Sequence, residues 1–209
     1  VNIIIPARRG STGVPYKNRI LLKNTLSKIP LEHQKKTIIT TNDEVIAWEI
    51  KKSYSQCKIH HRSESSAKDA ASTKESFAEV IEDFSLDGDI VGLYLTYPER
   101  EWDRVMDAYR WFKEIDAGSL LCREETLTHP YLCMYEAEGN KGRPIIDHDL
   151  YRRQDYPRCF RISHFIFMFK SEEFKKLNNN LYNEETAYYP VPSSLDIDTS
   201  MDLEKLRRK

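Results

Sequence analysis

Glycine is scarce in this chain, seven in 209 residues, so tight turns and close backbone approaches are confined to a few places. Long apolar runs are missing too. Phe165 to Phe169 is typical, far short of the roughly 20 residues that a membrane-spanning helix needs. The opening residues show neither the basic lead nor the long apolar core of a secretory signal. Cysteine is sparse and scattered, at Cys57, Cys122, Cys133 and Cys159, with no Cys-x-x-Cys pair. That spacing argues against a disulfide framework or a zinc site, and reduced thiols in a soluble cytoplasmic protein are the expectation. Net charge is also lacking, at −1, in a chain that is 40% apolar and 31% charged. Such a balance is globular and offers no general attraction to nucleic acid or an anionic membrane, so any anion site must be local. Several motifs are absent. There is no Gly-x-Gly-x-x-Gly, no Gly-x-Ser-x-Gly elbow and no His-x-x-x-His pair, and Lys17 follows Gly13 by four residues and precedes Asn18, which a Walker loop does not allow. No internal repeat or low-complexity linker occurs.

What the chain does have begins at its first residues. Val1 to Ile5 has the length and β-branched content of a buried strand. It stops at Pro6 and runs into a loop holding Gly10, Gly13, Arg8, Arg9 and Lys17. A buried strand leading into a cationic glycine loop is a common way for α/β proteins to present a phosphate site; an ordinary strand-to-helix turn with solvated cations is the other reading. Downstream, the mixed stretch Arg19 to Leu26 allows a short helix, and the pattern predicts a strand over Thr37 to Thr41, a helix over Glu44 to Lys52 that the polar residues Thr41-Asn42-Asp43-Glu44 can cap, and a strand at Cys57 to His61. A polar loop from Arg62 to Ser72 precedes a helix over Thr73 to Phe84, a strand over Ile90 to Leu95, a helix over Trp102 to Ile115 with Val105, Met106, Tyr109 and Phe112 inward, and a strand at Ala117 to Cys122. This alternation predicts an α/β fold with a mainly parallel sheet. Residues 126–162, rich in Pro, His, Tyr and Arg, are too long for a regular connection. They are expected to form an inserted arm or dimerisation subdomain, with a strand at Tyr131 to Ala137 and another around Phe160 to Ile162, leaving 1–125 and 163–209 as the main domain. A strand over Phe165 to Phe169, a helix over Ser171 to Leu177, an extended Tyr188 to Val191 and a closing helix over Ser200 to Arg208 complete the expectation.

Two further constellations carry possible chemistry. In Asp196-Ile197-Asp198, an extended backbone would point the carboxylates at i and i+2 to one side, a donor set suited to Mg²⁺ shared with substrate phosphates. Alternatively, Asp198 or Thr199 caps the last helix. Tyr151-Arg152-Arg153-Gln154-Asp155 offers guanidinium groups able to grip a carboxylate or phosphate in bidentate fashion, unless it is a solvated basic stretch.

These blocks resemble one known family. Ile5-Pro6-Ala7-Arg8-Arg9-Gly10-Ser11-Thr12-Gly13 through Lys17-Asn18 is similar to the opening loop of the acylneuraminate cytidylyltransferases, the CMP-sialic acid synthetases and their relatives. Thr40 to Glu44, Arg62 to Ala70, Arg153 to Pro157 and Ser194 to Asp202 resemble later blocks of that family, in order. The resemblance implies a three-layer, Rossmann-like nucleotidyltransferase fold. It implies transfer of CMP from CTP to an acidic nonulosonic-type sugar with release of pyrophosphate, and a homodimer. Carried over by position, Ala7, Arg8, Gly10, Ser11, Lys17, Asn18, Arg62 and Ser72 would bind the nucleotide, with Arg8, Lys17 and Asp198 catalytic. Asp196 and Asp198 would hold Mg²⁺, and Tyr94, Arg153 and Gln154 would stand on the sugar side. Departures concentrate on that side. Tyr94 stands where the family has a sugar-binding glutamine, and Ser163-His164 stands where it has Asn-Gly or Asp-Gly. They suggest an unusual acceptor, and leave open a relative using another NTP such as GTP or a non-catalytic binding protein.

Overall fold

The computed structural model describes residues 1–11, 13–68 and 71–208. Thr12, Asp69 and Ala70, which belong to two of the motifs above, lie outside the described residues. In chain order the elements are β1 (Asn2–Pro6), α1 (Lys17–Leu26), α2 (Leu31–Gln34), β2 (Thr37–Thr41), α3 (Glu44–Ser53), β3 (Lys58–His61), α4 (Thr73–Asp83), β4 (Asp89–Gly92), α5 (Trp102–Glu114) and β5 (Ser119–Glu125). A two-stranded hairpin, β6 (Met134–Ala137) and β7 (Lys141–Pro144), follows, then β8 (Phe160–Lys170), β9 (Ala187–Pro190) and α6 (Ser200–Arg207). The main sheet has seven strands in the order β3-β2-β1-β4-β8-β5-β9. All its pairings are parallel except those of β8, which runs antiparallel to both β4 and β5.

Both faces of the sheet are covered, which is why its central strands read as uninterrupted apolar runs. Along β1, Ile3 and Ile5 join the core under α1, α3, α5 and α6, while Ile4 joins Phe77, Phe167 and Phe169 on the other face. The result is the expected three-layer α/β architecture. β1 sits between β2 and β4, so the chain leaves β1 in one direction and returns on its other side. A crevice opens at such a reversal, at the carboxyl ends of the strands.

Local differences from expectation have local causes. α1 starts at Lys17, two residues early, after Tyr16 takes a left-handed φ of 57°. In α5 the fully buried stripe is Val105, Ala108 and Phe112, with Met106 and Tyr109 only half-buried. Ser171–Lys176 is 3-10 rather than α-helix. The two short strands expected at 160–162 and 165–169 are one eleven-residue strand, β8, whose first residues pair with Glu125 to Cys122. Among the described residues no helix is long and apolar enough to cross a membrane.

The turn after β2 is held by Asp43, which accepts the Val45 amide at 3.0 Å as the N-cap of α3 and pairs with Arg19 Nε at 2.7 Å. Burial alone would raise the Asp43 carboxyl, but Arg19 and the Val45 and Ile46 amides outweigh it and hold the group below its ordinary value. A folded-state value below the unfolded one stabilises the protein above the unfolded pKa of about 3.9, and the contribution fades as pH falls through the folded value. Asp43→Ala is therefore expected to cost about 1–2 kcal/mol at pH 7. In urea unfolding that gap should narrow near pH 3; an unchanged gap would contradict the ion pair.

Candidate active site

The loop after β1 is built onto the end of β2. The Ala7 amide donates to Thr40 O at 2.9 Å, Thr41 Oγ1 donates to Ala7 O at 2.5 Å, and the Arg9 amide donates to Asn42 Oδ1 at 2.6 Å. Asn18 Nδ2, from the first turn of α1, closes the loop on Arg8 O at 2.9 Å. The Thr-Thr-Asn-Asp block and the Ala-Arg…Lys-Asn block are thus two halves of one hydrogen-bonded unit, although they lie far apart in sequence.

This loop lines a cleft of about 460 Å³ at the carboxyl edge of the sheet. Arg8, Ser11 and Lys17 form one wall, Arg62 and Ser72 the second, and Tyr94 with Thr96 the floor after β4; Gly10, Asn18 and Asp198 also face it. Residues from four separate stretches therefore meet at the crevice. Ala7 is fully buried and does not itself line the cleft, its part being the backbone bonds to Thr40 and Thr41. Lys17 Nζ lies 3.0 Å from Asp198 Oδ1, an ion pair across 181 residues of sequence.

Glycine is used in two ways here. Gly10 has φ +84° with open space around it, so its need is conformational. At Gly13 a Cβ would sit 2.0 Å from the Asp198 carbonyl oxygen, so its need is close approach. The cationic loop is packed directly on the acidic segment.

Arg62 is a tightly held cation of the site. Its guanidinium donates to Thr40 Oγ1 at 3.3 Å, Ser66 O at 3.4 Å and Ser76 Oγ at 3.0 Å. Burial and then the charge of Arg8 push its pKa down to about 10, so it remains charged at neutral pH and a bound anion would relieve the repulsion between the two arginines. The serines of the 62–72 loop are held by Glu79, which accepts Ser66 Oγ at 2.7 Å and Ser63 Oγ. The α4 N-terminus is closed by a capping box between Ser72 and Glu75, so Ser72 serves the helix as well as the cleft wall.

Asp196 and Asp198 do not behave as a simple i, i+2 pair. They lie outside any strand, anchored by the Ile197 amide donating to Thr96 O at 2.9 Å. Asp198 opens on the cleft, whereas Asp196 lines a second hollow of about 360 Å³ with Glu124, Arg161 and Ser194. Burial first, and then the Asp198 charge, raise the Asp196 pKa; the Thr96 and Tyr97 hydroxyls and Lys17 only partly oppose this. Asp196 Oδ1 is buried with no hydrogen-bond partner. A half-buried carboxylate with an idle oxygen beside another carboxylate is the donor chemistry that a hard divalent cation satisfies. No cluster of three or more His, Cys, Asp or Glu ligands exists among the described residues, so further ligands would come from phosphate or water, as suits Mg²⁺. Capping of α6 falls to Thr199, not Asp198.

The expected sugar-side residues divide. Tyr94 is in the cleft, its Oη donating to Thr73 Oγ1 at 3.0 Å and its ring against His164 and Phe167 at 5.7 and 5.1 Å. Arg153 and Gln154 lie on an exposed 3-10 turn of the arm and do not line the cleft of this chain. The second hollow, with Glu124 and Arg161, was missed by sequence reasoning. Its only signal is the alternation Cys-Arg-Glu-Glu at the end of β5, which places an acidic residue on an inward face. Among the described residues no cysteine lines either space, and burial lifts the Cys57 thiol to about 11 and the Cys122 thiol to about 12.

The chain is a three-layer α/β protein with a cationic cleft at the carboxyl ends of its strands, and known proteins share this fold. Residues 2–97 match the cytidylyltransferase family model. Over its whole length the chain has the fold of solved nucleotidyltransferases. These include a CMP:2-keto-3-deoxy-manno-octonic acid synthetase complexed with CTP, at TM-score 0.70 and 14% identity, covering 99% of this chain and 96% of that one. Another is 4-diphosphocytidyl-2C-methyl-D-erythritol synthase of Anaerococcus prevotii, at TM-score 0.65 and 13% identity, covering 100% and 98%. Curated relatives narrow the class. The chain is 25% identical to the N-acylneuraminate cytidylyltransferases of Streptococcus agalactiae serotypes V and III, over 95% of this chain and 50% of theirs. The resemblance to the acylneuraminate cytidylyltransferases is borne out, and the chain spans about half the length of the curated relatives it matches.

The packing of Gly13 on Asp198 makes a direct prediction. Gly13→Ala should cost about 1–3 kcal/mol and raise amide exchange at Ile197, because the added methyl displaces the acidic segment. Gly10→Ala should leave exchange at Ile197 unchanged. Equal exchange in the two variants would contradict the contact.

Proposed function

We propose that this chain is a cytidylyltransferase that activates an acidic nonulosonic-type sugar, forming the CMP-sugar from CTP and releasing pyrophosphate. The observation that carries the reading is the convergence of Arg8, Ser11, Lys17, Arg62 and Asp198 on one cleft. In the reaction a sugar hydroxyl oxygen bonds to the α-phosphorus, the bond from that phosphorus to the bridging oxygen breaks, pyrophosphate departs, and the hydroxyl proton is lost to solvent. Chemistry of this kind asks the protein for positioning and charge stabilisation rather than a covalent intermediate.

Arg8, Gly10 and Ser11 bind the triphosphate along the loop, and Lys17 balances charge that develops on the leaving pyrophosphate. Asn18 and the Ala7 backbone keep the loop in register. Arg62 and Ser72 face the nucleoside end. Asp198 from the cleft and Asp196 from the adjoining hollow would hold Mg²⁺, which when bound would neutralise phosphate charge and favour loss of the hydroxyl proton. Lys17, now paired with Asp198, exchanges that partner for phosphate when the nucleotide enters. The acceptor lies toward Tyr94, whose phenol in place of an amide alters which sugar substituents can be hydrogen-bonded.

Arg153 and Gln154 reach an acceptor only from a second copy, and residues 126–162 form the arm that brings them there. Leu127, Met134, Tyr135 and Tyr151 are more than half exposed along that stretch, an apolar surface that a homodimer would cover. Reduced cysteines suit a cytoplasmic setting. A second reading, a non-catalytic nucleotide-binding relative, is favoured by one observation: the ring of Tyr94 packs with His164 and Phe167 on the floor of the cleft.

Pyrophosphate release measured with each NTP, Mg²⁺ and a panel of nonulosonic acids separates these. CTP with at least one acidic sugar is expected to give turnover; if no pair exceeds background, the enzyme reading fails. Asp198→Asn should abolish metal-dependent turnover, and full retained activity would refute the metal assignment. Arg153→Ala is expected to raise the sugar KM far more than the CTP KM, whereas equal effects would remove it from the acceptor side.

A further inference from the structure

Between its backbone anchors, the Val191 amide on Arg123 O at 3.0 Å and the Ile197 amide on Thr96 O at 2.9 Å, the chain that delivers both carboxylates has no regular structure. What ties its middle to the sheet is a side chain. Glu124, on β5, is 1% exposed. Its Oε2 accepts from Arg161 Nη2 at 2.6 Å, directly across the β5–β8 ladder, and its Oε1 accepts from Ser163 Oγ at 2.7 Å and Ser194 Oγ at 3.1 Å. Ser194 stands two residues before Asp196.

A buried carboxylate with this many donors is fixed in position by β5 and β8. Ser163 also accepts the Phe165 amide at 3.3 Å, so it holds both Glu124 and the β8 backbone at the point where its register against β5 shifts. Beside the packing of Leu195 and Ile197 on the core and the Ile197 bond to Thr96, β5 and β8 thus reach the acidic segment by polar contact through one carboxylate and one serine hydroxyl. On the far side of that segment, Gly13 packs on the Asp198 carbonyl and Lys17 pairs with its carboxylate. The segment is gripped from the phosphate loop on one side and from Glu124 on the other.

We infer that Glu124, acting through Ser194, is a positioning residue that sets Asp196 and Asp198 against the phosphate loop. The inference rests on the cytidylyltransferase reading for its consequence in catalysis, though not for the tether itself. Glu124 touches neither the cleft nor any reacting atom. Its work is to fix the segment so that Asp198 stays on the cleft and Asp196 on the adjoining hollow, the places from which they would serve a cation bound with the nucleotide.

The test compares wild type, Ser194→Ala and Ser194→Thr, the last retaining the hydroxyl. In the protein without ligands, hydrogen exchange across 192–198 should rise in Ser194→Ala while β1 and β5 stay protected, and should return toward wild type in Ser194→Thr. Mn²⁺ binding in the presence of CTP, followed by electron paramagnetic resonance, should weaken by roughly tenfold or more in Ser194→Ala, in the range seen when outer partners of metal ligands are removed. CTP binding without metal should change little. Wild-type exchange and wild-type Mn²⁺ binding in Ser194→Ala would overturn the inference. A wild-type protein that binds no CTP would instead defeat the cytidylyltransferase reading, and the exchange measurement would still decide the tether.

Discussion

The contact on which the rest of this structure depends lies between the first loop and the last: Lys17 pairs with Asp198 at 3.0 Å, and Gly13 leaves room for the Asp198 carbonyl. A cationic loop without that acidic segment would be an anion trap with no place for a divalent ion. An acidic segment without the loop would hold two carboxylates with nothing to offset their repulsion. Each makes the other electrostatically tolerable, and in the proposed reaction a triphosphate with its cation would replace the ion pair without leaving bare charge behind. The seven-stranded sheet serves this juxtaposition, because β1 delivers the loop while β5, β9 and the span after them return the chain to it.

Two kinds of support hold the parts in place, and both use buried polar groups. Around the first loop, Thr40, Thr41 and Asn42 bond the loop backbone, while Glu79 and its serines shape the turn that carries Arg62. Around the second hollow and the floor of the cleft, Glu124 gathers Arg161, Ser163 and Ser194, and Arg100, buried and pushed down to about 10 chiefly by that burial, holds the carbonyls of Tyr94 and Phe165. Groups of this sort are costly to bury unless fully bonded, so the loops they organise are constrained even though they lack regular structure.

Much of the fold was legible because the signals were local and redundant. Thr37 to Thr41 is β-branched, bounded by polar residues and buried on both faces, and it forms the strand expected. Asp43 stands where a cap must stand, and it caps. The failures are where tertiary partners decide. Leu31–Gln34 is a four-residue helix too short to show a period. β8 looked like two strands because Ser163 and His164 interrupt its apolar pattern, yet the Glu124 carboxylate beneath makes Ser163 a good inward residue. Sequence pattern brought the members of the cleft forward one by one, and motif resemblance supplied their grouping. It misjudged the geometry of Asp196 and Asp198, because alternation holds only in an extended strand and this segment is not one. Glu124 gave only the faint signal of the Cys-Arg-Glu-Glu alternation, since a buried acidic residue is understood only with its partners.

Calorimetric titration of the wild-type chain and Lys17→Met with CTP, GTP, UTP and ATP in the presence of Mg²⁺ tests the central claim most directly. The account predicts saturable binding of CTP in preference to the other three, lost when Lys17 is replaced. Equal CTP affinity in the two proteins, or no preference among the four nucleotides, would contradict it.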